Sequence, residues 1–159
     1  IAYYDAANGD LKVAHGVPGN WDIAVWASEG DVGQWPSLSQ HGGSLYVSFL
    51  DAGAKDLLYG RWTGTQLNAE IVDDGDFVGA DSSITWIAET PVLVYHDGVN
   101  NDLRLAIGSE TGWTLSTLAS DGALGFHNTV LADSSGSLNW SSFNHTSTDI
   151  AFDRFELSE

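Results

Sequence analysis

A chain of 159 residues with 22 acidic and 5 basic side chains carries a net charge of −17. That balance lacks the Lys and Arg patches that nucleic acid or an anionic membrane surface needs. There is no Cys and no Met, which excludes disulfides, thiol catalysis and thiolate metal sites. No run of about 18 apolar residues is present to cross a bilayer. The length suits one domain, and so acidic a surface, well hydrated and screened by salt, fits a saline or extracellular setting.

Taken in chain order, the first element is a strand over 1–4, ended by the acidic turn that opens "DAANGDLKVAHG" at Asp5. After it come a strand and a Gly turn, and Trp21 opens the next strand. A strand over 37–40 and a His-Gly-Gly turn lead into 45–50, where Leu45, Val47 and Phe49 alternate on one face with a period of two. The turn of "DAGAKDLLYG" (51–60) leads to strands over 57–62 and 67–72, separated by Thr-Gly-Thr. The same order then recurs through "DGVNNDLRLAIG" from Asp97, with Trp113 opening the last strand of that unit. A weaker copy, "NHTSTDIAFD" from Asn144, precedes a final strand over 150–155. Helical periodicity is nowhere sustained.

These elements are internal repeats. Val32-Gly33-x-x-x-Ser37-Leu38, Val78-Gly79-x-x-x-Ser83-Ile84 and Leu124-Gly125-x-x-x-Thr129-Val130 recur every 46 residues. Asp10, Asp56 and Asp102 keep the same step, and Asp149 follows after 47, the extra residue falling in the turn at 133–136. Four short antiparallel strands in about 46 residues is the signature of a β-propeller blade, a small sheet that buries its faces only against its neighbours. The expected fold is all-β: a partial blade over 1–33, full blades over 34–79 and 80–125, and a partial blade over 126–159, about fourteen strands. Tyr3, Phe49 and Tyr95 would pack between blades, as would Ile1, Val47 and Leu93, and most of the seven Trp are assigned to core or edge packing. Incomplete blades at both ends leave open edges, so the chain is expected to form a homo-oligomeric ring or to be part of a longer polypeptide.

The runs "YYDAANGDLKVA" and "VGxxxSL" and the "GW" or "GNW" strand openings resemble a repeat of secreted bacterial and archaeal β-propellers, written loosely YYD-x-x-NGDLKYA. The likeness spans essentially the whole chain. It implies the fold, and an adhesin or lectin-like role only loosely. Sialidase propellers are more distant, since their Ser-x-Asp-x-Gly-x-Thr-Trp box is missing.

Two sets of residues are candidates for chemistry. Asp5, Asn8 and Asp10, with Asp97, Asn100 and Asp102, offer clustered oxygens of the kind calcium takes. The equivalent turn at 51–56 loses the Asn and carries Lys55, so these acids are read chiefly as turn formers that accept backbone N–H groups, and no cofactor is expected beyond an occasional Ca²⁺. More informative is the place where the repeat disagrees with itself. Directly after each Val-Gly or Leu-Gly stand Trp35, Asp81 and His127, expected in the loop before each blade's first strand. By the resemblance, that loop and the acidic turn emerge on one end of the ring, its usual ligand face. An aromatic platform, a carboxylate and an imidazole there suit a sugar, whose C–H face stacks on a ring while its hydroxyls hydrogen-bond. No carboxylate pair stands out for glycoside hydrolysis. Arg61 and Arg154 are in register while Arg104 is not, and the five His show no metal spacing. Two sequons, at Asn139 and Asn144, would matter only in a glycosylating export pathway, with Asn144, in a turn, the better acceptor.

The reading is a secreted or cell-surface binding or adhesion module, not an enzyme, that recognises a glycan or a surface protein, with no nucleic acid and no membrane insertion. A purely structural assembly role is the alternative, and a glycoside hydrolase-like propeller a more remote one.

Overall fold

The computed structural model describes residues 1–156, and strands account for nearly all of them. The first sheet contains β1 (Ala2–Asp5), β2 (Asp10–Val17) and β3 (Asn20–Ala27). The second contains β4 (Val32–His41), β5 (Ser44–Asp51), β6 (Asp56–Trp62) and β7 (Leu67–Asp73). The third contains β8 (Val78–Ile87), β9 (Thr90–Asp97), β10 (Asp102–Ser109) and β11 (Gly112–Ala119), and the fourth β12 (Phe126–Ala132), β13 (Ser137–Asn144) and β14 (Asp149–Glu156). All four are antiparallel meanders in which each strand pairs with the next in sequence. The described residues contain fourteen strands and no helix.

Successive sheets stack face to face, and each of the three junctions has its own core. Leu11, Val13 and Trp26 of the first sheet meet Val32, Val47 and Phe49 of the second. Leu57, Tyr59 and Val72 meet Val78, Ile84, Leu93 and Tyr95. Leu103, Leu105, Val92 and Val94 meet Leu124, Val130, Leu138 and Trp140. A period-two strand that is covered on both sides cannot be amphipathic. Accordingly Val47, Ser48, Phe49 and Leu50 are all buried in β5, as is the run from Val92 to Asp97 in β9. Each such Leu or Phe contributes about 1.5–3 kcal/mol of burial.

One difference from the sequence reading matters for the site. The first strand of the second sheet was expected to start at Ser37, but β4 starts at Val32 and β8 at Val78. The extra residues are held by two irregularities in pairing, at 32/34 and 34/37, with counterparts at 78/80 and 80/83. These bulges keep the strand paired while re-aiming side chains, so the expected loop is strand.

Two repeated backbone features bring the sheets together. Gly33, Gly79 and Gly125 have φ of 97°, 103° and 93°. A Cβ on Gly33 would lie 2.5 Å from the Leu11 Cα, and one on Gly79 would lie 2.9 Å from the Leu57 Cα. Only glycine tolerates both that φ and that approach. The second feature is the residue before the last acid of each acidic turn. Gly9, Lys55, Asn101 and Thr148 share the left-handed conformation, with φ of 73°, 72°, 57° and 56°.

The end sheets lack an outer neighbour. Leu11 and Val13, Leu57 and Tyr59, and Leu103 and Leu105 are the same two repeat positions, and none is more than 9% exposed. Their fourth-sheet counterparts, Ile150 and Phe152, are 57% and 78% exposed. Ile1, which corresponds to Val47 and Leu93, is exposed as well, with Trp21, Ile23 and Val25 on the same face of the first sheet.

The two left-handed positions should respond oppositely to substitution. Gly79→Ala should lower unfolding stability by about 2–4 kcal/mol through strain and clash. Lys55→Gly should raise it by about 0.5–1 kcal/mol by removing αL strain. Urea denaturation of the two variants, with equal m-values, checks both signs.

Candidate functional site

Trp35, Asp81 and His127 occupy one repeat position, and all three have positive φ: 47°, 50° and 50°. A non-glycine residue seldom takes this conformation, and three successive repeats imposing it on three dissimilar side chains indicates that the backbone needs it. Each falls at a pairing irregularity of its strand, and two of the three carbonyls reach the next sheet. That of Trp35 accepts the Ser82 hydroxyl at 3.2 Å, and that of Asp81 accepts the Asn128 side-chain amide at 3.1 Å, so each bulge is tied to the next sheet. Ser82 also bonds Ser48 at 2.9 Å, and Asn128 bonds the Gly125 carbonyl at 2.7 Å. The backbone is committed to stacking and the side chains are left free. Trp35 is 45% exposed and the His127 side chain 80%, whereas the Asp81 side chain is only 17% exposed.

The three are not one constellation. His127 Nδ1 stands 3.9 Å from Asp81 Oδ1, an ion-pair distance when the imidazole is protonated, whereas Trp35 belongs to the junction before. There it lines a small pocket of about 90 Å³ with Phe77, Lys55, Gln34 and Leu50. Phe77 is exposed, the Lys55 ammonium lies 5.5 Å from its ring centroid, and that ammonium also pairs with Asp76 at 3.1 Å. The corresponding space is filled at the other junctions. At the first, Tyr4 (the counterpart of Leu50) donates to Asp31 at 2.6 Å, with Gln34 on the same carboxylate. At the third, His96 packs on Phe126 with centroids 4.2 Å apart, and Phe126 meets His145 edge-on at 4.4 Å. Burial holds the His96 imidazole below its ordinary pKa. Phe77 has no aromatic counterpart in the other repeats, so the repeat does not mark it, and Lys55 stands out in the sequence only as the residue that sets the 51–56 turn apart from its copies.

The acidic turns use their carboxylates internally. Asp51 Oδ1 accepts the Gly53 and Ala54 amides. Asp97 accepts the Val99 and Asn100 amides and the Asn100 side chain. Asp5 accepts the Ala7 amide, the Asn8 side chain and the Lys12 ammonium. The hydrogen bonds from Lys12 and Asn8 bring the Asp5 pKa down to about 2. Asp10 and Asp102 sit directly across the hairpin from Asp5 and Asp97. The Asp carboxylates accept from their own turns, and the Asn8 and Asn100 amides donate to them. No group of three or more His, Cys, Asp or Glu is gathered around a possible metal position among the described residues. Asn144 is also committed: its amide nitrogen donates to the Asp121 carbonyl at 2.8 Å and its oxygen accepts from Thr146 and Ser147. Of the two sequons, it is Asn139, in β13, whose residue is exposed.

Arg104, out of register in the sequence, serves the second junction. Its guanidinium reaches Asp73 at 3.7 Å and Asp97 at 3.5 Å, both nearly buried. Asp73 also accepts the Tyr95 hydroxyl at 2.6 Å. Burial, and next that bond, raise the Tyr95 pKa.

At the opposite end of the sheets from the bulges, where the 41–44 and 62–67 turns lie, a second opening runs between the second and third sheets. This groove of about 760 Å³ is walled by Tyr46, Tyr59, Trp86 and Trp113 and rimmed by charged groups. The sequence reading assigned the Trp to packing, since a tryptophan that faces a groove follows the same repeat as one that fills a core.

No protein-family model matches the chain, and no curated protein matches it.

Acid should unfold the chain through its invested carboxylates. Burial pushes the Asp97 pKa up, but hydrogen bonds from the Asn100 side chain and the turn amides, with Arg104, hold it below the usual value. A depressed folded pKa contributes stability that is present above the unfolded value and lost as pH falls through the folded one. Asp56 acts oppositely, its pKa raised first by burial and then by Asp51, Asp74 and Asp73, so acidification initially relieves it. Denaturation midpoints should hold or rise slightly from pH 7 towards 5 and fall below about pH 4. Asp97→Asn should flatten the acid limb.

Proposed function

We propose that the four stacked sheets are successive blades of a β-propeller, and that the chain is a secreted or cell-surface module that binds carbohydrate through the end carrying the bulges. The observation that carries this reading is the Trp35 pocket. It is open and aromatic at the same place where neighbouring junctions are filled by their own side chains, and an exposed Trp facing an exposed Phe suits the C–H face of a sugar ring. The Lys55 ammonium is at hand for its hydroxyls, and the Gln34 side chain lines the pocket beside it. Asp81 and His127 would add polar contacts at the following junction. We read the chain as a binder rather than an enzyme, because the carboxylates beside the Trp35 pocket are spent on their own acidic turn and on Lys55. Weak single sites gain strength when several are presented together, linked binding adding factors of about 10² to 10⁴.

A glycan array tests this. The folded chain should retain a subset of glycans, and Trp35→Ala and Phe77→Ala should each abolish retention without shifting the thermal transition. A folded chain that is silent on the array, or whose binding survives both changes, sinks the reading.

A second reading, a structural subunit of a larger ring, has its own observation in the two apolar end faces. Ile150 and Phe152 at one end occupy positions that are buried at every internal junction, and Ile1 at the other end occupies the reciprocal position. Head-to-tail contacts between copies make closed rings where the rotation allows. Two copies would bring eight sheets together, within the range of four to eight at which such rings close. Sedimentation should give twice the chain mass, and Phe152→Glu should give a monomer. A compact wild-type monomer at high concentration excludes this assembly.

A further inference from the structure

We propose that the groove between the second and third sheets, at the end away from the bulges, binds a neutral oligosaccharide along its aromatic wall. The proposal takes its ligand class from the carbohydrate reading above but places it at a different site.

The wall is continuous. The Trp86 ring stands 4.7 Å from Tyr46, Tyr46 stands 5.7 Å from Tyr59, and Tyr59 stands 5.0 Å from Trp113, all centroid to centroid. The row crosses from one sheet to the other: Tyr46 and Tyr59 come from β5 and β6, Trp86 and Trp113 from β8 and β11. All four rings touch the second junction's core while also lining the open groove. Their inner sides are anchored by packing, so presenting their outer sides costs little ordering entropy on binding.

Several polar groups are already oriented at the rim. Trp113 Nε1 donates to Glu70 at 2.9 Å, which fixes the indole. His41 stacks on Trp86 at 4.1 Å and 8° between planes, and its Nε2 lies 3.0 Å from the largely exposed Glu89. The Arg61 guanidinium bonds the Ser44 hydroxyl and leans over Tyr46, 5.9 Å from the centroid. A groove with aromatic faces and fixed donors and acceptors on its edges suits hydroxyl-rich rings.

Length and charge narrow the ligand. At about 760 Å³ the groove is within the range of small-molecule sites, and a row of rings shared by two sheets serves a chain of sugars better than one. Glu70, Glu89 and Glu110 stand against Arg61, and the chain's net charge is −17. Acidic sugars are therefore repelled and neutral ones are not. The counterpart at the first junction differs. There Trp26 and Trp62 stack on each other at 4.5 Å and 5°, leaving a cleft of about 360 Å³. Those rings spend their faces on one another, whereas the row at the second junction lines the open groove.

The test is titration of the ¹⁵N-labelled chain with neutral hexasaccharides of glucan, mannan, xylan and chitin type, and with oligogalacturonate as the anionic control. The indole N–H signals are read, assigned by single Trp→Phe variants. The expected result is that at least one neutral hexasaccharide moves the Trp86 and Trp113 signals, that Trp113→Ala weakens binding at least tenfold, and that Trp35→Ala does not. If Trp113→Ala proves unfolded by circular dichroism, Arg61→Ala at the exposed rim takes its place, with a several-fold loss expected. Movement of the Trp35 signal alone overturns the groove and leaves the bulge-end reading standing. Movement of Trp86 and Trp113 by oligogalacturonate only overturns the neutral-ligand claim. Silence at all indoles overturns both sites.

Discussion

The stacking of the sheets depends on one hydrogen bond, repeated at each junction. The left-handed residue of an acidic turn turns its carbonyl outward, and an amide at the entrance to the next sheet donates to it: Val32 to Gly9 at 3.0 Å, Val78 to Lys55 at 3.1 Å, Leu124 to Asn101 at 2.8 Å. The residue just before that amide completes the stitch. The carbonyls of Asp31, Phe77 and Ala123 accept from Ala52, Gly98 and His145 in the following acidic turn at 2.8–2.9 Å. Connector and turn are thus locked to each other across every junction. The glycine that follows lets the new strand pass against β2, β6 or β10 within the distance a Cβ would need. Burial of Leu11, Leu57 and Leu103 follows from that approach, and with it the three cores.

Once the backbone at the bulge is committed to this stitching, its side chain is released from any structural duty. That is how one repeat position can hold Trp35, Asp81 and His127 in the same conformation. Differences between junctions then decide what is open. Tyr4 with Asp31 fills the first bulge-end space and His96 with Phe126 fills the third, whereas Leu50 leaves the second to Trp35 and Phe77. At the other end, Trp26 and Trp62 cover each other, while Trp86 and Trp113 remain beside open space. Both openings lie at the junction between the two four-stranded sheets, which is also where Arg104 bridges Asp73 and Asp97.

The acidity has two physical roles. Asp5, Asp51 and Asp97 accept backbone amides and hold hairpin geometry, while the half-buried acids opposite them and the exposed acids along the rims set a negative field. Few cations are available to offset that field, and four of the five Lys and Arg are paired with acids: Lys12 with Asp5, Lys55 with Asp76, Arg104 with Asp73 and Asp97, and Arg154 with Asp133. A surface of this kind discriminates by repulsion as much as by contact.

The 46-residue step of Asp10, Asp56 and Asp102 located the strands, their count and the incomplete sheets at both ends, because turn chemistry and period-two burial are local and repeat with the chain. It also marked Trp35, Asp81 and His127 as the point of divergence. What the tertiary structure alone decided is which side chains meet across a junction. The Trp35 carbonyl is held by a Ser82 hydroxyl 47 residues away. The Asn144 amide, which looked free in its turn, is held by the Asp121 carbonyl. Trp113 belongs to a groove because of Glu70 and Tyr59 on the neighbouring sheet. Period and turn type are properties of a few consecutive residues, so the sequence by itself determined them. Open space between sheets depends on residues from two repeats at once, and only the packed structure brings those together.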